Sequence, residues 1–412
     1  MEYGLIGEKL GHSYSAILHA LLADYDYQLH PMPPEAVDAF MQQRDFQGIN
    51  VTIPYKKTVI PYLAEMGETA RRIGSVNTIV KRPDGSLFGD NTDAYGFAQM
   101  AASIGADFTG KKVLILGSGG TCLTACDVVR QAGGTAVVIS RSGETTYADL
   151  PKHADAEYLI NTTPVGMYPN VHAAAVDLTR LPHLKGVLDV IYNPLRTQLI
   201  QQAQKLGIPA VSGLKMLVYQ AVRACEIFTG IPVEPQRAQA AERQLRAQSM
   251  NLVLIGMPGC GKSTIGQELA RISGREAVDT DALIAAEAGM SIPEIFEKEG
   301  EAGFRAWEKA IIQREALIGG RILITGGGAI KDAENRAALR MNGYVAQITR
   351  PTDLLATGGR PLSAGGMEAV EKLYQERAPL YADCADAAYP NETTPAQCAN
   401  AIWEGFDEAL RT

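Results

Sequence analysis

Short apolar runs alternate with longer segments of helical periodicity along almost the whole chain. Clear examples of the apolar runs lie at residues 113–116, 136–139, 252–255 and 322–325. Continuous apolar runs of this length indicate strands that are buried on both faces, and their alternation with helices indicates parallel sheets. The pattern therefore predicts an α/β fold with mainly parallel sheets.

Residues 233–249 interrupt this alternation. Ala, Gln, Arg and Glu dominate the stretch, and Leu245 is almost its only large apolar residue after Val233. Such a composition favours a helix that has little to bury. We therefore predict a linker, semi-rigid and helical, between two parts of the chain.

Composition narrows the class of protein. A length of 412 residues allows two or three domains, and 46% hydrophobic residues with 20% charged residues is ordinary for a globular protein. The net charge of −8, without a run of Lys or Arg, disfavours nucleic-acid binding. No apolar stretch suits a signal peptide or a membrane span, so we expect a cytoplasmic protein without a membrane partner. The six scattered cysteines are expected to be buried or half-buried thiols.

Residues 256–264 follow the apolar run 252–255 and match the pattern G-x-x-x-x-G-K-[ST]. A glycine-rich loop between a strand and a helix lets successive backbone N–H groups surround a phosphate chain. In this pattern the lysine reaches the outer phosphates, and the following hydroxyl binds Mg²⁺. The candidate residues for ATP and Mg²⁺ are Gly259, Gly261, Lys262, Ser263 and Thr264.

A second glycine turn follows the run 113–116, and the run 136–139 completes a βαβ unit. The turn is G-x-G-G, a weak signal alone, and consists of Gly117, Ser118, Gly119 and Gly120. After the second strand of such a unit, an acid indicates NAD and a base indicates NADP. Ser140 and Arg141 follow here without an acid, which favours NADP, although an ordinary surface arginine is the competing interpretation.

Loops elsewhere in the first half carry polar groups densely. Taken singly, each group has an ordinary explanation. Ser13 and Ser15 suit the N-cap of a helix, and Lys56 suits a solvated charge after a strand. Their significance therefore depends on the set as a whole.

Taken together, these motifs resemble shikimate dehydrogenase over residues 1–232. The matching motifs lie at 11–15, 50–56, 74–78, 89–93, 161–167, 189–194 and 213–217. The resemblance implies that Lys56 and Asp93 are the catalytic pair. The substrate-binding residues that it implies are Ser13, Ser15, Thr52, Asn77, Tyr192 and Gln220, and it adds Gly213 to the NADP-binding set. It further implies a shikimate-binding domain of residues 1–95 and 213–232, and a Rossmann NADP-binding domain of residues 96–212.

The second half contains further candidate groups around the phosphate loop. Asp279 and Asp281 lie two residues apart at a predicted strand end, where they would face the same side. Arg305 lies on an acidic helix, where an ordinary pair with Glu301 is the alternative interpretation. The run 322–325 ends in three glycines rather than an acid.

These features resemble shikimate kinase over residues 250–412, a P-loop α/β domain. The motifs that carry the resemblance lie at 256–264, 279–281, 304–308, 325–329, 359–362 and 377–381. The resemblance implies that Arg305, Gly327 and Arg377 bind shikimate, that Asp281 holds its ring hydroxyls and accepts a proton, that Arg360 closes a lid, and that Ser263 and Asp279 serve Mg²⁺. The lid is short, and Ala356 falls where the family places an arginine against adenine.

The leading hypothesis is an enzyme with two activities, in which NADPH reduces 3-dehydroshikimate and MgATP then phosphorylates shikimate. One alternative is a quinate/shikimate dehydrogenase that uses NAD. Another is an active dehydrogenase joined to a weak or regulatory kinase-like domain. A sensor with degenerate domains is disfavoured because Lys56, Asp93, Lys262 and Asp281 are all present. The expected assembly is a monomer or a homodimer.

Overall fold

The computed structural model describes residues 1–11, 13–355 and 366–411. It divides into two compact units. The first contains Met1–Tyr192 and Gln202–Gln244, and the second contains Asn193–Gln201 and Leu245–Thr412. The described residues form three sheets, two of them entirely parallel, which confirms the predicted α/β class.

The first sheet has six strands in the order β2-β1-β3-β5-β6-β4. Its strands are β1 (Tyr3–Gly7), β2 (Tyr27–Pro31), β3 (Gly48–Val51), β4 (Glu65–Met66), β5 (Thr78–Lys81) and β6 (Leu87–Asp90). The helices of this part of the chain are α1 (Ser15–Leu22), α2 (Pro34–Gln43), α3 (Glu68–Ile73) and α4 (Asp93–Ser103). Strand β5 runs antiparallel to β3 and β6, so the start of β5 lies beside the ends of its two neighbours. The residues flanking these three strands therefore meet at one edge of the sheet.

The second sheet is parallel, in the order β11-β10-β9-β7-β8. Its strands are β7 (Lys112–Leu116), β8 (Thr135–Ile139), β9 (Tyr158–Asn161), β10 (Gly186–Asp189) and β11 (Ala210–Ser212), and its helices are α5 (Gly120–Gln131), α6 (Gln198–Lys205) and α7 (Leu214–Thr229). Helix α7 crosses α4 closely, because a Cβ on Gly96 would lie 2.4 Å from the carbonyl oxygen of Met216. This close crossing carries α7 from the second sheet to the edge of the first.

The third sheet, in the second unit, is parallel in the order β13-β14-β12-β15-β16. Its strands are β12 (Asn251–Ile255), β13 (Ala277–Asp279), β14 (Ile322–Ile324), β15 (Gly343–Thr349) and β16 (Ala387–Pro390). The remaining helices are α8 (Pro235–Ser249), α9 (Lys262–Ser273), α10 (Thr280–Ala288), α11 (Ile292–Glu315), α12 (Ala333–Met341), α13 (Gly366–Cys384) and α14 (Pro395–Ala409). Since all five strands are parallel, the loops at their carboxyl ends gather at one edge, where ligands bind in such sheets.

The predicted linker forms helix α8, but the expectation that it buries little is wrong. Ala238, Ala241 and Leu245 are each no more than 2% exposed. Small side chains bury well because they allow close packing, and the prediction weighed only large apolar residues. The helix also crosses the division between the units, which falls after Gln244.

Residues 193–201 are also grouped differently from the prediction, which assigned them to the NADP-binding domain. The structure groups Asn193–Gln201 with the second unit. The backbone N–H of Leu195 donates to Asn342, and Arg196 pairs with Asp386 at 2.8 Å. These polar contacts join residues far apart in sequence, which explains why no local pattern indicated them.

Candidate active sites

A first cavity of about 440 Å³ lies at the edge where β3 ends and β5 begins. Residues from β3, from helices α1, α4 and α7, and from the loops around them line it. The predicted residues that it brings together are Ser13, Ser15, Thr52, Lys56, Asn77, Asp93, Tyr192, Gly213 and Gln220. Their individual roles stay predictions, but the structure places all nine around one space.

The centre of the first cavity is an ion pair between Lys56 and Asp93. The Lys56 Nζ lies 2.6 Å from the Asp93 Oδ2, and the side chains are 26% and 17% exposed. Asp93 is the first residue of α4, where the helix dipole favours a negative charge. The lysine is therefore not the solvated charge of the competing interpretation; it is held by a fixed carboxylate at a cavity wall.

The side-chain amide of Asn77 has one defined orientation. Its Oδ1 accepts hydrogen bonds from the Thr92 N–H at 2.8 Å and from the Thr78 hydroxyl at 3.0 Å. An oxygen engaged in this way leaves the NH₂ group as the end that is available to a ligand. Asn77 therefore presents donors to the cavity, whereas Asp93 presents an acceptor.

The serines of the first cavity do not cap helix α1, because its N-cap position is Tyr14 and no described side chain caps the helix. Ser15 is the first residue of α1, and its backbone N–H donates to the Ser13 hydroxyl at 3.2 Å. The N-cap interpretation is therefore wrong, and both serines instead line the cavity. Tyr192 contributes an aromatic wall, and burial raises the pKa of its phenol, which keeps it neutral.

The predicted NADP residues lie at the carboxyl ends of β7 and β8. Gly117 has a φ of 109°, which a residue with a side chain rarely adopts, and a Cβ on Gly119 or Gly120 would meet nothing within 4 Å. The turn therefore exposes backbone at the start of α5, as a diphosphate requires. Arg141 is exposed just beyond β8, with Ser140 buried beside it.

Gly213 belongs to the cavity itself rather than to the glycine turn. A Cβ at this position would lie 2.0 Å from the carbonyl oxygen of Val190. Glycine is therefore required for the backbone to enter α7 beside β10. This contact fixes the start of the helix that carries Gln220 to the cavity.

A second cavity of about 560 Å³ lies in the second unit at the carboxyl ends of β12, β13 and β14. The predicted residues that line it are Gly259, Gly261, Lys262, Ser263, Thr264, Asp279, Asp281, Arg305, Gly327 and Arg377. The predicted lid residue Arg360 lies outside the described residues, as does Ala356. The second cavity thus unites the phosphate loop with both predicted carboxylate-binding arginines.

Lys262 is buried, and its Nζ donates to the backbone carbonyls of Gly256 and Met257 at 2.9 and 3.0 Å. The hydroxyl of Ser263 lies 3.2 Å from the Asp279 Oδ2. A hydroxyl and a carboxylate side by side are oxygen ligands of the kind that Mg²⁺ prefers. The predicted pair for Mg²⁺ is therefore assembled.

The two aspartates differ from their predicted placement on one strand edge. Asp279 ends β13 and caps α10 through an Oδ1 that accepts the N–H groups of Asp281 and Ala282. Asp281 lies in the first turn of α10 rather than on the strand. The helix begins earlier than expected because Asp279 is an effective N-cap.

Arg305 has both of the partners that its helix offers. It contacts the Glu301 Oε1 at 3.2 Å, and its Nη1 donates to the Glu308 Oε2 at 2.7 Å. Burial raises the pKa of Glu308, and the charge of Arg305 offsets part of that effect. The pair with Glu301 is therefore real, but it coexists with a second, buried pair that aims the guanidinium at the cavity.

Arg377 is 1% exposed and donates to the carbonyl oxygen of Gly327 at 2.9 Å. The hydroxyl of Tyr381 donates to the same oxygen at 2.6 Å. The Nε of Arg377 makes no hydrogen bond with the described residues. A donor without a partner at the cavity wall suits an anionic ligand.

Comparisons with known proteins agree with this geometry. Residues 5–79 match the family model for the shikimate dehydrogenase substrate binding domain, and residues 213–242 match that for the shikimate 5'-dehydrogenase C-terminal domain. A shikimate dehydrogenase (NADP(+)) of Clostridium perfringens (strain SM101 / Type A) is 34% identical over 268 residues, covering 60% of this chain and 98% of that protein. The chain belongs to the shikimate dehydrogenase family. Residues 258–406 match the family model for shikimate kinase, so the chain also contains a shikimate kinase domain.

Solved structures of shikimate dehydrogenases resemble the dehydrogenase part. A chorismate mutase/shikimate 5-dehydrogenase fusion protein from Clostridium acetobutylicum is 34% identical with a TM-score of 0.56, covering 59% of this chain and 96% of that one. The Thermus thermophilus enzyme in complex with NADP(H) and shikimate is 29% identical with a TM-score of 0.54, covering 59% and 99%. The resemblances stated from the sequence are confirmed.

Two further expectations concern the chain as a whole. All six cysteines are free and buried, as predicted. None of the described helices combines the length and the apolar character needed to cross a bilayer.

The sequence motifs did not reveal the support behind the dehydrogenase cavity. Tyr27 donates to the Asn50 Oδ1 at 2.7 Å, and Asn50 donates to the carbonyl oxygen of Asn77 at 3.2 Å. His19 stacks on Tyr27 with ring centroids 3.8 Å apart. The position of Asn50 within a matched motif was the one signal in the sequence that could have indicated this support. Its partner Tyr27 lies outside every motif.

In the kinase domain, a residue outside the recognised motifs supports the phosphate loop. The side-chain N–H of Asn391, just after β16, donates to the Cys260 carbonyl oxygen at 2.8 Å. A Cβ on Gly261 would lie 2.5 Å from that same amide nitrogen. Asn391 therefore holds the phosphate loop from outside, across 131 positions of sequence.

Proposed function

We propose that the chain catalyses two reactions, the NADPH-dependent reduction of 3-dehydroshikimate to shikimate and the MgATP-dependent phosphorylation of the shikimate 3-hydroxyl. The observation that carries the first is the ion pair of Lys56 and Asp93 at 2.6 Å inside the first cavity. The second is supported by the phosphate loop, the buried Arg377 and the half-buried Arg305 around one space. Membership of the shikimate dehydrogenase family and the match of residues 258–406 to the shikimate kinase family model support the pair of activities.

In the reduction, the residues of the first cavity bind the substrate at both ends. Ser13 and Ser15 hold its carboxylate, while Asn77 and Gln220 hold ring hydroxyls. When bound, NADPH supplies the hydride. The ammonium of Lys56 neutralises the charge that develops on the ketone oxygen and delivers the proton, as a general acid must. Asp93 fixes the position of that ammonium.

The residues at the glycine turn fit the cofactor. The open backbone at Gly119 and Gly120 accommodates a diphosphate, and the exposed Arg141 suits a 2′-phosphate. We therefore assign NADP(H) to this site. Arg141 and the absence of an acid after β8 support that preference over NAD.

In the phosphorylation, Arg305 and Arg377 bind the shikimate carboxylate with planar guanidinium groups. Asp281 accepts the proton of the attacking hydroxyl. Lys262 steadies the charge on the transferred phosphoryl group, and Ser263 with Asp279 would hold Mg²⁺, which neutralises phosphate charge when bound. Gly259, Gly261 and Thr264 complete the phosphate cradle.

A split assay on the purified chain tests the proposal. NADPH formation from shikimate and NADP reports the first activity, and shikimate-dependent ADP release reports the second. Lys56→Met should lower only the first rate by about 1,000-fold, since general acid catalysis contributes about 10²–10⁴. Lys262→Met should abolish only the second.

The neighbour Lys57 is exposed and provides the matched control. Lys57→Met should leave both rates within twofold. Loss of kinase activity in Lys56→Met would refute two independent sites. A wild-type chain that releases no ADP with shikimate would refute the second activity while leaving the first.

One alternative has specific support. The quinate dehydrogenase of Corynebacterium glutamicum in complex with NAD is 26% identical, with a TM-score of 0.53, covering 58% of this chain and 98% of that one. An NAD-linked quinate/shikimate dehydrogenase would oxidise shikimate faster with NAD than with NADP. If Arg141→Ala fails to weaken NADP relative to NAD, the assignment of the 2′-phosphate to Arg141 is wrong.

A further inference from the structure

The kinase domain has an arginine that none of its recognised motifs contains. Arg350 follows directly after β15, the strand beside β12, which leads into the phosphate loop. The end of β15 touches that loop, because a Cβ on Gly256 would lie 2.4 Å from the carbonyl oxygen of Ile348. The backbone of Arg350 therefore lies at the phosphate-binding edge of the sheet.

Arg350 lines two cavities at once. One is the second cavity described above. The other, of about 370 Å³, is lined by Pro351, Tyr374 and Met257 of the phosphate loop, among other residues. Of the described lining residues, Arg350 is shared by the two cavities. It therefore lies between the space for the phosphoryl acceptor and the neighbouring cavity.

Its hydrogen-bonding state differs from that of the other cations in the described wall of the second cavity. Lys262 donates to loop carbonyls, Arg305 pairs with two glutamates, and Arg377 donates to Gly327. Arg350 makes no side-chain hydrogen bond or ion pair with the described residues, and its Nε is buried. Arg350 is half-buried, and none of the five N–H donors of its guanidinium has an acceptor among the described residues.

Nearby acids do not satisfy it. Asp353, Glu371 and Glu392 line the neighbouring cavity with Arg350. No ion pair joins any of them to its guanidinium within the described chain. A purely structural arginine would be expected to pair with one of these carboxylates. The arrangement instead leaves its donors available at the junction.

We propose that Arg350 binds the triphosphate chain of ATP where the chain passes from the phosphate loop into the neighbouring cavity, which takes the nucleoside. The inference rests on the proposed kinase function, because it assumes that ATP enters here. The phosphate supplies the anion that Arg350 lacks, in the bidentate geometry that a guanidinium favours. The proposal is based on the location of Arg350 and on its lack of side-chain partners among the described residues, and it does not depend on the motif residues.

The test measures nucleotide binding to the full chain in the presence of saturating NADP, which blocks adenine nucleotides from the dehydrogenase site. Arg350→Met should weaken MgATP and MgADP binding by about 10- to 100-fold, the range for losing hydrogen bonds to a charged group. Adenosine binding and the KM for shikimate should change less than twofold. Arg350→Lys keeps the charge without the fork and should show a smaller loss, about threefold or more.

Arg271→Met is the matched control, because Arg271 is 68% exposed and pairs only with Glu268 among the described residues. It should leave MgATP binding unchanged. Unchanged MgATP binding in Arg350→Met, or equal losses for ATP and adenosine, would overturn the proposal. If Arg350→Met does not fold, full MgATP affinity in Arg350→Lys would overturn it instead. A wild-type chain that binds MgATP but does not phosphorylate shikimate would refute the kinase function and still leave this binding test decisive.

Discussion

The two catalytic cavities hold their cations in different ways. In the dehydrogenase cavity, Lys56 pairs with Asp93, so the two proposed catalytic groups position each other. In the kinase cavity, Lys262 and Arg377 donate to backbone carbonyls of the loops that form the wall. If the proposed roles hold, the first arrangement needs no change of partners for the reaction, whereas in the second Lys262 and Arg377 exchange protein partners for phosphate and carboxylate.

The difference follows from the ligands. A ketone carries no charge before it reacts, so its acid must be held by the protein itself. ATP and shikimate bring anions with them, and charge-assisted hydrogen bonds to those anions replace bonds to neutral carbonyls at little net loss. Activity in the dehydrogenase cavity should therefore be sensitive to changes in the side chains that are held in fixed positions. Activity in the kinase cavity should be sensitive to changes around the protein acceptors that compete with the ligands for its cations.

Asn77→Asp tests the fixed geometry and should have the largest effect. The substitution replaces the donor end of the amide by a carboxylate oxygen that cannot donate to a ring hydroxyl and that repels Asp93. We expect kcat/KM for shikimate oxidation to fall about 100-fold, within the range for losing a buried hydrogen bond. Initial rates with NADP measure this effect.

Gln43→Glu adds the same charge at an exposed position of the same unit and is the control. It should leave the dehydrogenase rate unchanged. The kinase rate of Asn77→Asp should also stay at the wild-type value. A loss of less than threefold would show that Asn77 does not present its donors to the substrate.

Mild acid should lower the stability of the first unit more than that of the second. The histidines that the structure describes all lie in the first unit, at positions 19, 30, 153, 172 and 183. Burial lowers the pKa of His19 to about 3, against a smaller opposing effect of its hydrogen bond to Asn50. The unfolded chain therefore takes up a proton that the folded chain refuses, and stability falls as the pH drops below 6.5. At pH 5 the loss is about 2 kcal/mol.

The measurement is residual activity after heating at pH 7.5 and at pH 5, assayed at one common pH. The dehydrogenase midpoint should fall by about 4–8 °C at the lower pH, and the kinase midpoint by less. His19→Gln should reduce the difference, because glutamine does not titrate. An unchanged pH effect in that variant would assign it to other groups.

Tyr381→Phe tests the exchange of partners in the kinase cavity and should have the smallest effect. With Tyr381 present, the Gly327 oxygen keeps one donor when Arg377 turns to the substrate. Without its hydroxyl, that oxygen loses its remaining described side-chain donor, so binding is penalised. We expect the KM for shikimate in the kinase assay to rise about fivefold, the value of one neutral hydrogen bond.

The KM for ATP should stay constant in Tyr381→Phe, since Tyr381 contacts the acceptor side of the cavity. Dehydrogenase kinetics on the same preparation control for the amount of intact chain. A KM for shikimate that falls or stays constant would mean that Arg377 does not leave Gly327 when the substrate binds.

Much of the fold was predictable because β7, β12 and β14 are buried almost throughout; β8, at the edge of its sheet, is only partly buried, contrary to the expectation for the run 136–139. The runs that became β7, β8, β12 and β14 are apolar throughout, so their pattern needs no knowledge of neighbours. Helix α8 was misjudged because alanine burial depends on how closely another surface approaches. The start of α10 was misplaced because Asp279 both ends a strand and caps a helix.

The candidate sites were predictable where chemistry is tied to local spacing, as in the phosphate loop and the glycine turn. Glycines, a lysine and a hydroxyl at fixed spacing specify a phosphate cradle almost independently of the surrounding fold. The support of those sites was not predictable. Asn391 holds Cys260 from 131 positions away, and Tyr27 holds Asn50 from outside every motif.

The sequence by itself determined the α/β class, the two nucleotide-binding turns and the family resemblances that name the catalytic residues. Only the tertiary structure decided which end of the Asn77 amide faces the cavity, which acceptors hold Lys262, and that Arg350 lies between two cavities without a side-chain partner among the described residues. The physical reason is the range of the interactions. Strand burial and loop geometry are set by neighbouring residues, whereas hydrogen-bond partners and cavity walls are set by segments that only folding brings together.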